Sequence, residues 1–228
     1  MVRPNSPTVN NKALIAEFIG TFTLIFIGVG SIVADYLSGG KLGLTGIALA
    51  HGLAIGVMVS ATAAVSGGHL NPAVTISLWS AKKIDTANAV AYMIAQCLGA
   101  VFAAFLIKLC VPADALTAVN MGTPALGAGI SVQMGLITEM ILTFLLVFVV
   151  YGTAVDSRAP KVGGLFIGLT IVLDILMGGP ISGAAMNPAR YIGPALMGGG
   201  LQNAWIYWVG PIAGGVLAAQ IYKTQLEK

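Results

Sequence analysis

Ser66-Gly67-Gly68-His69-Leu70-Asn71-Pro72-Ala73-Val74-Thr75 has a counterpart 116 positions later, Ser182-Gly183-Ala184-Ala185-Met186-Asn187-Pro188-Ala189-Arg190. Both stretches contain Asn-Pro-Ala, which places a capping side chain and then a proline at a helix start. Proline's missing N–H costs nothing there, because the first N–H groups of a helix have no intrahelical partner. Each tripeptide lies in apolar sequence of membrane length, so each predicts a helix that begins in the middle of a membrane.

The surroundings of the first stretch support that reading. Between Lys41 and Lys82 lie 40 residues without a formal charge. That is too many for one crossing of about 20 residues, and no polar loop long enough to allow two is present. The surplus is expected to dip into the membrane and return. A helix from Pro72 to about Ser80 rises roughly 13 Å, about half of a bilayer core of about 30 Å. Two such half-helices entering from opposite faces complete a seventh, broken span. The segments 66–70 and 181–186 then supply non-helical backbone at membrane depth, which is tolerated where protein covers it or where it lines water. Their carbonyls offer acceptors to solute. Both helix N-termini, each worth about half a positive charge, point at the middle of a narrow wet pore.

The whole composition agrees. The 228 residues are 57% hydrophobic and only 8% charged, which excludes a dispersed soluble domain. An all-α membrane protein is expected, one channel domain over 1–228, with six transmembrane helices near 13–34, 44–65, 87–109, 132–154, 162–179 and 203–222 plus two re-entrant half-helices. Thirty glycines suit close helix packing. The net charge of +3 is modest and dispersed, giving no nucleic-acid surface. Met1 to Asn11 carries no removable signal segment. Cys97 and Cys110, 13 apart, have no metal-ligand spacing and predict no disulfide; they are expected to pack as small apolar groups. No cofactor or metal is expected.

With six spans both ends share a side of the membrane. Arg3, Lys12, Lys82, Lys83, Arg158, Lys161, Lys223 and Lys228 fall on that side, against Lys41 and Lys108 opposite. The bias predicts a multi-pass protein with both termini cytoplasmic. Arg190 belongs to neither group. Residues 16–22 (AEFIGTF) and 138–144 (TEMILTF) share Glu, Ile, Thr and Phe in register, a weak internal repeat. Two halves follow, approximately 12–110 and 130–223. Each holds three spans, and an odd number of crossings turns the second upside down.

Together the paired tripeptides, the repeated Glu17 and Glu139, and Trp205-Ile206-Tyr207-Trp208-Val209-Gly210-Pro211 resemble the aquaporin or major intrinsic protein family over essentially the whole chain. The resemblance implies a homotetramer in membrane lipid, each protomer with its own pore for water or small neutral solutes. It also implies pore-lining roles for Asn71, Pro72, Ala73, Asn187, Pro188 and Ala189. Family spacing, 20 residues before the first Asn, 12 before the second, and three on either side of the second, places a selectivity filter at His51, Ile175, Ala184 and Arg190. That set is similar to tonoplast intrinsic proteins and some archaeal members, with a wider, half-apolar opening than strict water channels. Tyr191 stands where glycerol facilitators usually carry Asp, so the order water, ammonia, glycerol is expected. Ala184, where some relatives hold Cys, implies poor inhibition by mercury.

Individual residues keep more than one reading. An Asn cap satisfies backbone through its carbonyl and leaves NH₂ donors to hold a water oxygen centrally, which interrupts proton passage. Arg190 is costly at that depth unless it faces a wet cavity and bonds to carbonyls. His69 either braces its loop or lines the inner vestibule. Glu17 and Glu139, with Gln96, are read as bracing the irregular loops rather than relaying protons. A helical step of about 100° per residue turns Asp174 away from the pore if Ile175 faces it. The competing class is a proton-coupled secondary transporter, which also uses inverted repeats and broken helices. No Gly-x-Ser-x-Gly or His-Glu-x-x-His arrangement supports an enzyme.

Overall fold

A computed structural model describes residues 9–160 and 162–227. Arg3, Lys161, Lys228 and most of the Met1–Asn11 reading lie outside the described residues. Among those described, the chain is helical without a strand. Its elements are α1 Asn11–Leu37, α2 Gly43–Ser66, α3 Pro72–Ser80, α4 Thr86–Cys110, α5 Ala113–Ala118, α6 Val132–Val150, α7 Gly163–Ser182, α8 Pro188–Pro194 and α9 Ile206–Ile221.

Local chemistry sets the starts and stops. Asn10 accepts from the Lys12 N–H at 3.0 Å to open α1, Asp85 from Asn88 at 3.0 Å to open α4, and Ser131 from Met134 at 3.2 Å to open α6. The start of α2 has no cap of its own. Asp35 at the end of α1 reaches over instead, and its Oδ1 takes the N–H groups of Leu42 and Gly43 at 2.9 and 2.8 Å. Both α2 and α7 stop at glycines in the left-handed region, Gly67 at φ 90° and Gly183 at φ 79°. The chain then turns inward towards each Asn-Pro-Ala.

Five segments, α1, α2, α4, Val132–Val155 and α7, are long and apolar enough to cross a membrane. The sixth expected span, 203–222, is shifted towards the C-terminus. Residues 202–205 are turn, α9 covers Ile206–Ile221, and a wider π turn continues it over Tyr222–Leu226. The polarity is inside out for a soluble protein: Leu109, Leu173 and Val57 are 63–69% exposed on the outside while Glu17, Gln96 and Glu139 are fully buried. Only lipid tails make such an exterior stable. Cys97 and Cys110 are both free; Cys97 is half-buried but Cys110 is exposed, so it does not pack as expected, because α4 ends there.

Each half crosses one helix pair in the same way. A Cβ at Gly99 of α4 would lie 2.3 Å from the Phe18 carbonyl oxygen of α1, and one at Gly214 of α9 would lie 1.9 Å from that of Met140 in α6. Backbone touches backbone at both places, the small-residue contact by which membrane helices associate. Gly214→Val is therefore expected to destabilise by about 2–3 kcal/mol through overpacking, seen as a lowered thermal midpoint in detergent. Gly30→Val is the control, because nothing lies within 4 Å of its Cβ position.

On the side of the termini, Arg158 pairs with Asp156 at 2.5 Å and donates to the Leu226 carbonyl at 2.6 Å, while Lys83 pairs with Glu227. The Arg158 hydrogen bonds hold the Asp156 carboxyl well below the usual carboxylate range. Such a depressed group stabilises above its unfolded pKa, so this contact weakens only in acid, as pH falls from the ordinary carboxylate range towards its folded value.

Candidate pore between two half-helices

The half-helices α3 and α8 begin at the caps that the sequence indicates. Asn71 Oδ1 accepts from Ala73 N–H at 2.8 Å, and Asn187 Oδ1 accepts from Ala189 at 2.9 Å and Arg190 at 3.3 Å. The amide groups then cross. Asn71 Nδ2 donates to the Met186 carbonyl at 2.9 Å, and Asn187 Nδ2 donates to the Leu70 carbonyl at 3.0 Å. Leu70 and Met186, each immediately before an Asn, are both in the left-handed region at φ 52°, which turns their carbonyls towards the opposite amide. This corrects the expectation that both NH₂ donors of each Asn face solute. One N–H of each is bound to the other loop, and one remains for the lumen.

Two buried carboxylates hold the loops. Glu17 Oε1 accepts from Ser66 Oγ at 2.6 Å and His69 N–H at 2.9 Å, and its Oε2 accepts from Leu70 N–H at 2.6 Å and Gln96 Nε2 at 2.7 Å. Glu139 repeats the pattern with Ser182 Oγ at 2.7 Å, Ala185 N–H at 2.9 Å and Met186 N–H at 2.7 Å. In the second half Pro211 follows Tyr207 by four residues, as Gln96 follows Tyr92, so Glu139 has no fourth donor from that position. Gln96 also donates to Thr75 Oγ1 at 3.0 Å.

One cavity of about 790 Å³ runs from Asn10, Lys83 and Glu227 on the terminal side, past His69, Asn71 and Asn187, to His51, Ile175, Ala184 and Arg190. Arg190 is 5% exposed and donates through Nη1 to the Gly122 carbonyl at 2.9 Å. The buried guanidinium thus has a carbonyl partner and a polar lumen, the conditions under which a cation is tolerated at depth. His51 Nδ1 faces the Ile47 carbonyl at 2.9 Å, which only accepts, so Nδ1 carries the proton and Nε2 is the acceptor of the neutral ring. The ring edge lies against bare Gly28, where a Cβ would sit 2.4 Å from Nε2.

A sequence profile described as Major intrinsic protein matches residues 5–222. The chain belongs to this family. It is 47% identical to aquaporin TIP4-4 of Zea mays over 219 residues, covering 92% of the chain and 85% of that protein. It is 45% identical to probable aquaporin TIP3-2 of Arabidopsis thaliana over 225 residues, covering 93% and 82%. The fold superposes on the X-ray structure of the aquaglyceroporin from Plasmodium falciparum with a TM-score of 0.84 at 26% identity, covering 94% and 96% of the two chains. Six crossings, two re-entrant half-helices and an inverted repeat are the architecture of the family in this chain.

His69 combines its two expected placements. Its N–H binds Glu17, its ring lines the cavity, and Nδ1 lies 3.1 Å from Thr75 Oγ1. The Thr75 hydroxyl proton is committed to the Asn71 carbonyl at 3.0 Å, so His69 Nδ1 is the donor and Nε2 is left as an acceptor. Asp174 is buried but does not line the cavity, whereas Ile171 and Ile175 do. The helical step anticipated that separation.

Three contributors escaped the sequence. Tyr92 and Tyr207 donate to the Ser66 and Ser182 carbonyls at 3.0 and 2.9 Å, fixing the last turns of α2 and α7. The turn 120–122 presents the Gly122 carbonyl to Arg190 through three consecutive positive φ values. The two tyrosines follow Ser66 and Ser182 by 26 and 25 residues, nearly the same place in each half; no local pattern announces the turn.

Proposed function

We propose that this member of the family is a passive channel for water, with ammonia second and glycerol third among neutral solutes. The observation that carries the reading is the pair of crossed asparagines midway along one continuous cavity, each with one N–H left for a passing oxygen. Two donors aimed from the ends of opposed half-helices orient a central water with its hydrogens outward on both sides. The adjacent waters then cannot relay a proton through it, and two positive helix ends repel cations.

His51, Ile175, Ala184 and Arg190 are the filter in this proposal. Arg190 supplies donors and a permanent charge, and Ile175 and Ala184 supply a half-apolar wall that suits ammonia beside water. Pro72, Ala73, Pro188 and Ala189 seat the half-helices, and His69 adds an acceptor in the vestibule. Glu17 and Glu139 are braces. Every oxygen of both carboxylates is engaged by loop or side-chain donors, which argues against a proton-coupled carrier. Nothing in the cavity calls for catalysis. The two repeat halves 12–110 and 130–223 form one domain, both termini face the cytoplasm, and the channel works as a homotetramer in lipid.

The test is stopped-flow light scattering on proteoliposomes with water, ammonia and glycerol gradients. Water permeability well above protein-free vesicles supports the reading, whereas transport of glycerol alone, or none, contradicts it. His51→Phe is expected to lower ammonia flux about fivefold relative to water, since the larger ring cannot move back into the space against Gly28 and narrows the opening, an effect of about 1 kcal/mol. An unchanged ratio places His51 outside the filter.

A further inference from the structure

The two half-helices have a second pair of ends, and a lysine sits on each. Lys223 Nζ donates to the carbonyl of Ala81, the C-cap residue of α3, at 2.9 Å, and Gln220 holds Ser80 beside it at 3.0 Å. Lys108 Nζ donates to the carbonyl of Met197 at 3.1 Å, in the π turn Ala195–Gly199 that continues α8. Lys108 and Lys223 are 115 positions apart, the separation of Tyr92 from Tyr207 and of Gly99 from Gly214. They are one position of the inverted repeat, so one falls on each face of the membrane, at the outer end of a half-helix and outside the lining of the cavity. A topological bias accounts for Lys223 on the basic face. It does not account for Lys108, which lies on the opposite face, where basic residues are sparse.

We infer that Lys108 and Lys223 determine ion exclusion by capping the negative ends of the two half-helices. This rests on the channel reading above. Each half-helix brings about half a positive charge to the centre and leaves about half a negative charge at its outer end. Uncapped, those negative ends gather cations at the entrances and partly cancel the central barrier. A lysine on each orphan carbonyl outweighs the local half charge, so the outer end of each half-helix no longer draws cations towards the channel. The two ends differ in degree. Lys82 and Lys83 follow Ala81 in sequence, with Lys83 paired to Glu227, so α3 has cationic neighbours besides Lys223. Lys108 therefore carries more of the effect at its own end.

The experiment compares wild type with Lys108→Gln, Lys223→Gln, the double Gln variant and the double Arg variant in proteoliposomes, measuring water permeability and potassium and proton leak. Gln keeps a donor and removes the charge; Arg keeps both. Each Gln substitution is expected to raise cation leak about two- to fivefold, Lys108→Gln more than Lys223→Gln, while water permeability stays at the wild-type level and the double Arg variant remains tight. A double Gln variant as tight as wild type, or a double Arg variant as leaky as double Gln, overturns the inference. Absent water permeability in wild type counts instead against the channel reading. Amide exchange over 76–81 and 195–199 then decides on the caps: faster exchange in double Gln alone supports them, and equal rates overturn them.

Discussion

Glu17→Gln is expected to cost about 3–5 kcal/mol and to leave little folded channel, because the new NH₂ group must face donors. The Glu17 carboxylate accepts from Ser66, His69, Leu70 and Gln96. An amide in its place keeps one acceptor oxygen and sets an N–H₂ against either the Leu70 N–H and Gln96 amide or the Ser66 hydroxyl and His69 N–H. Gln96 can rotate its carbonyl inward. The Leu70 N–H cannot, since its residue is fixed in the left-handed region at φ 52° and its carbonyl is bound to Asn187. Glu139→Gln meets three donors rather than four and should cost less. Thermal unfolding in detergent, with yield of monodisperse protein, checks the order: Glu17→Gln lowest, Glu139→Gln next, wild type highest. Equal midpoints for all three would show that the carboxylates do not hold the loops.

Arg190→Val is expected to have the largest effect on selectivity while sparing the fold. Valine removes the guanidinium from the cavity and leaves the Gly122 carbonyl facing a widened opening, without disturbing the Asn187 cap, to which residue 190 contributes only its backbone N–H. A hydrogen bond involving a charged group contributes about 1.5–3 kcal/mol, so loss of this discriminating group should raise glycerol permeability and cation leak about tenfold or more. Water permeability should change little, because the central asparagines are intact. Solute uptake and ion leak in reconstituted vesicles check this. A variant with unchanged glycerol exclusion and no leak would remove Arg190 from the filter.

What the sequence discloses and what it hides divide along a physical line. Features set by neighbouring residues were legible. Asn71 followed by Pro72 defines the start of α3, and its end falls at Ser80, about where it was expected. The repeated Glu17 and Glu139, the sorting of lysines and the six apolar stretches follow from composition and period alone. Features that depend on chain segments far apart were not. The amide of Asn71 meets the carbonyl of Met186, 115 residues away, and nothing local to either residue says that the donor goes there rather than to solute. Nothing local to Tyr92 or Tyr207 sends its hydroxyl to the Ser66 or Ser182 carbonyl. Lys108 and Lys223 read as loop charges that set orientation, and only the folded chain brings each to the end of a half-helix. Register within the repeat is the missing information: once Tyr92 is matched to Tyr207, Gly99 with Gly214 and Lys108 with Lys223 follow at the same spacing.

The most direct test of the crossed half-helices as a water-selective pore is osmotic shrinkage of proteoliposomes recorded together with membrane current under an imposed voltage, in wild type and in Asn71→Leu/Asn187→Leu. Wild type should shrink many times faster than protein-free vesicles and carry no current above theirs, while the double variant loses the fast water phase or begins to leak. Shrinkage no faster than lipid alone, current in wild type, or a double variant indistinguishable from it would contradict the account.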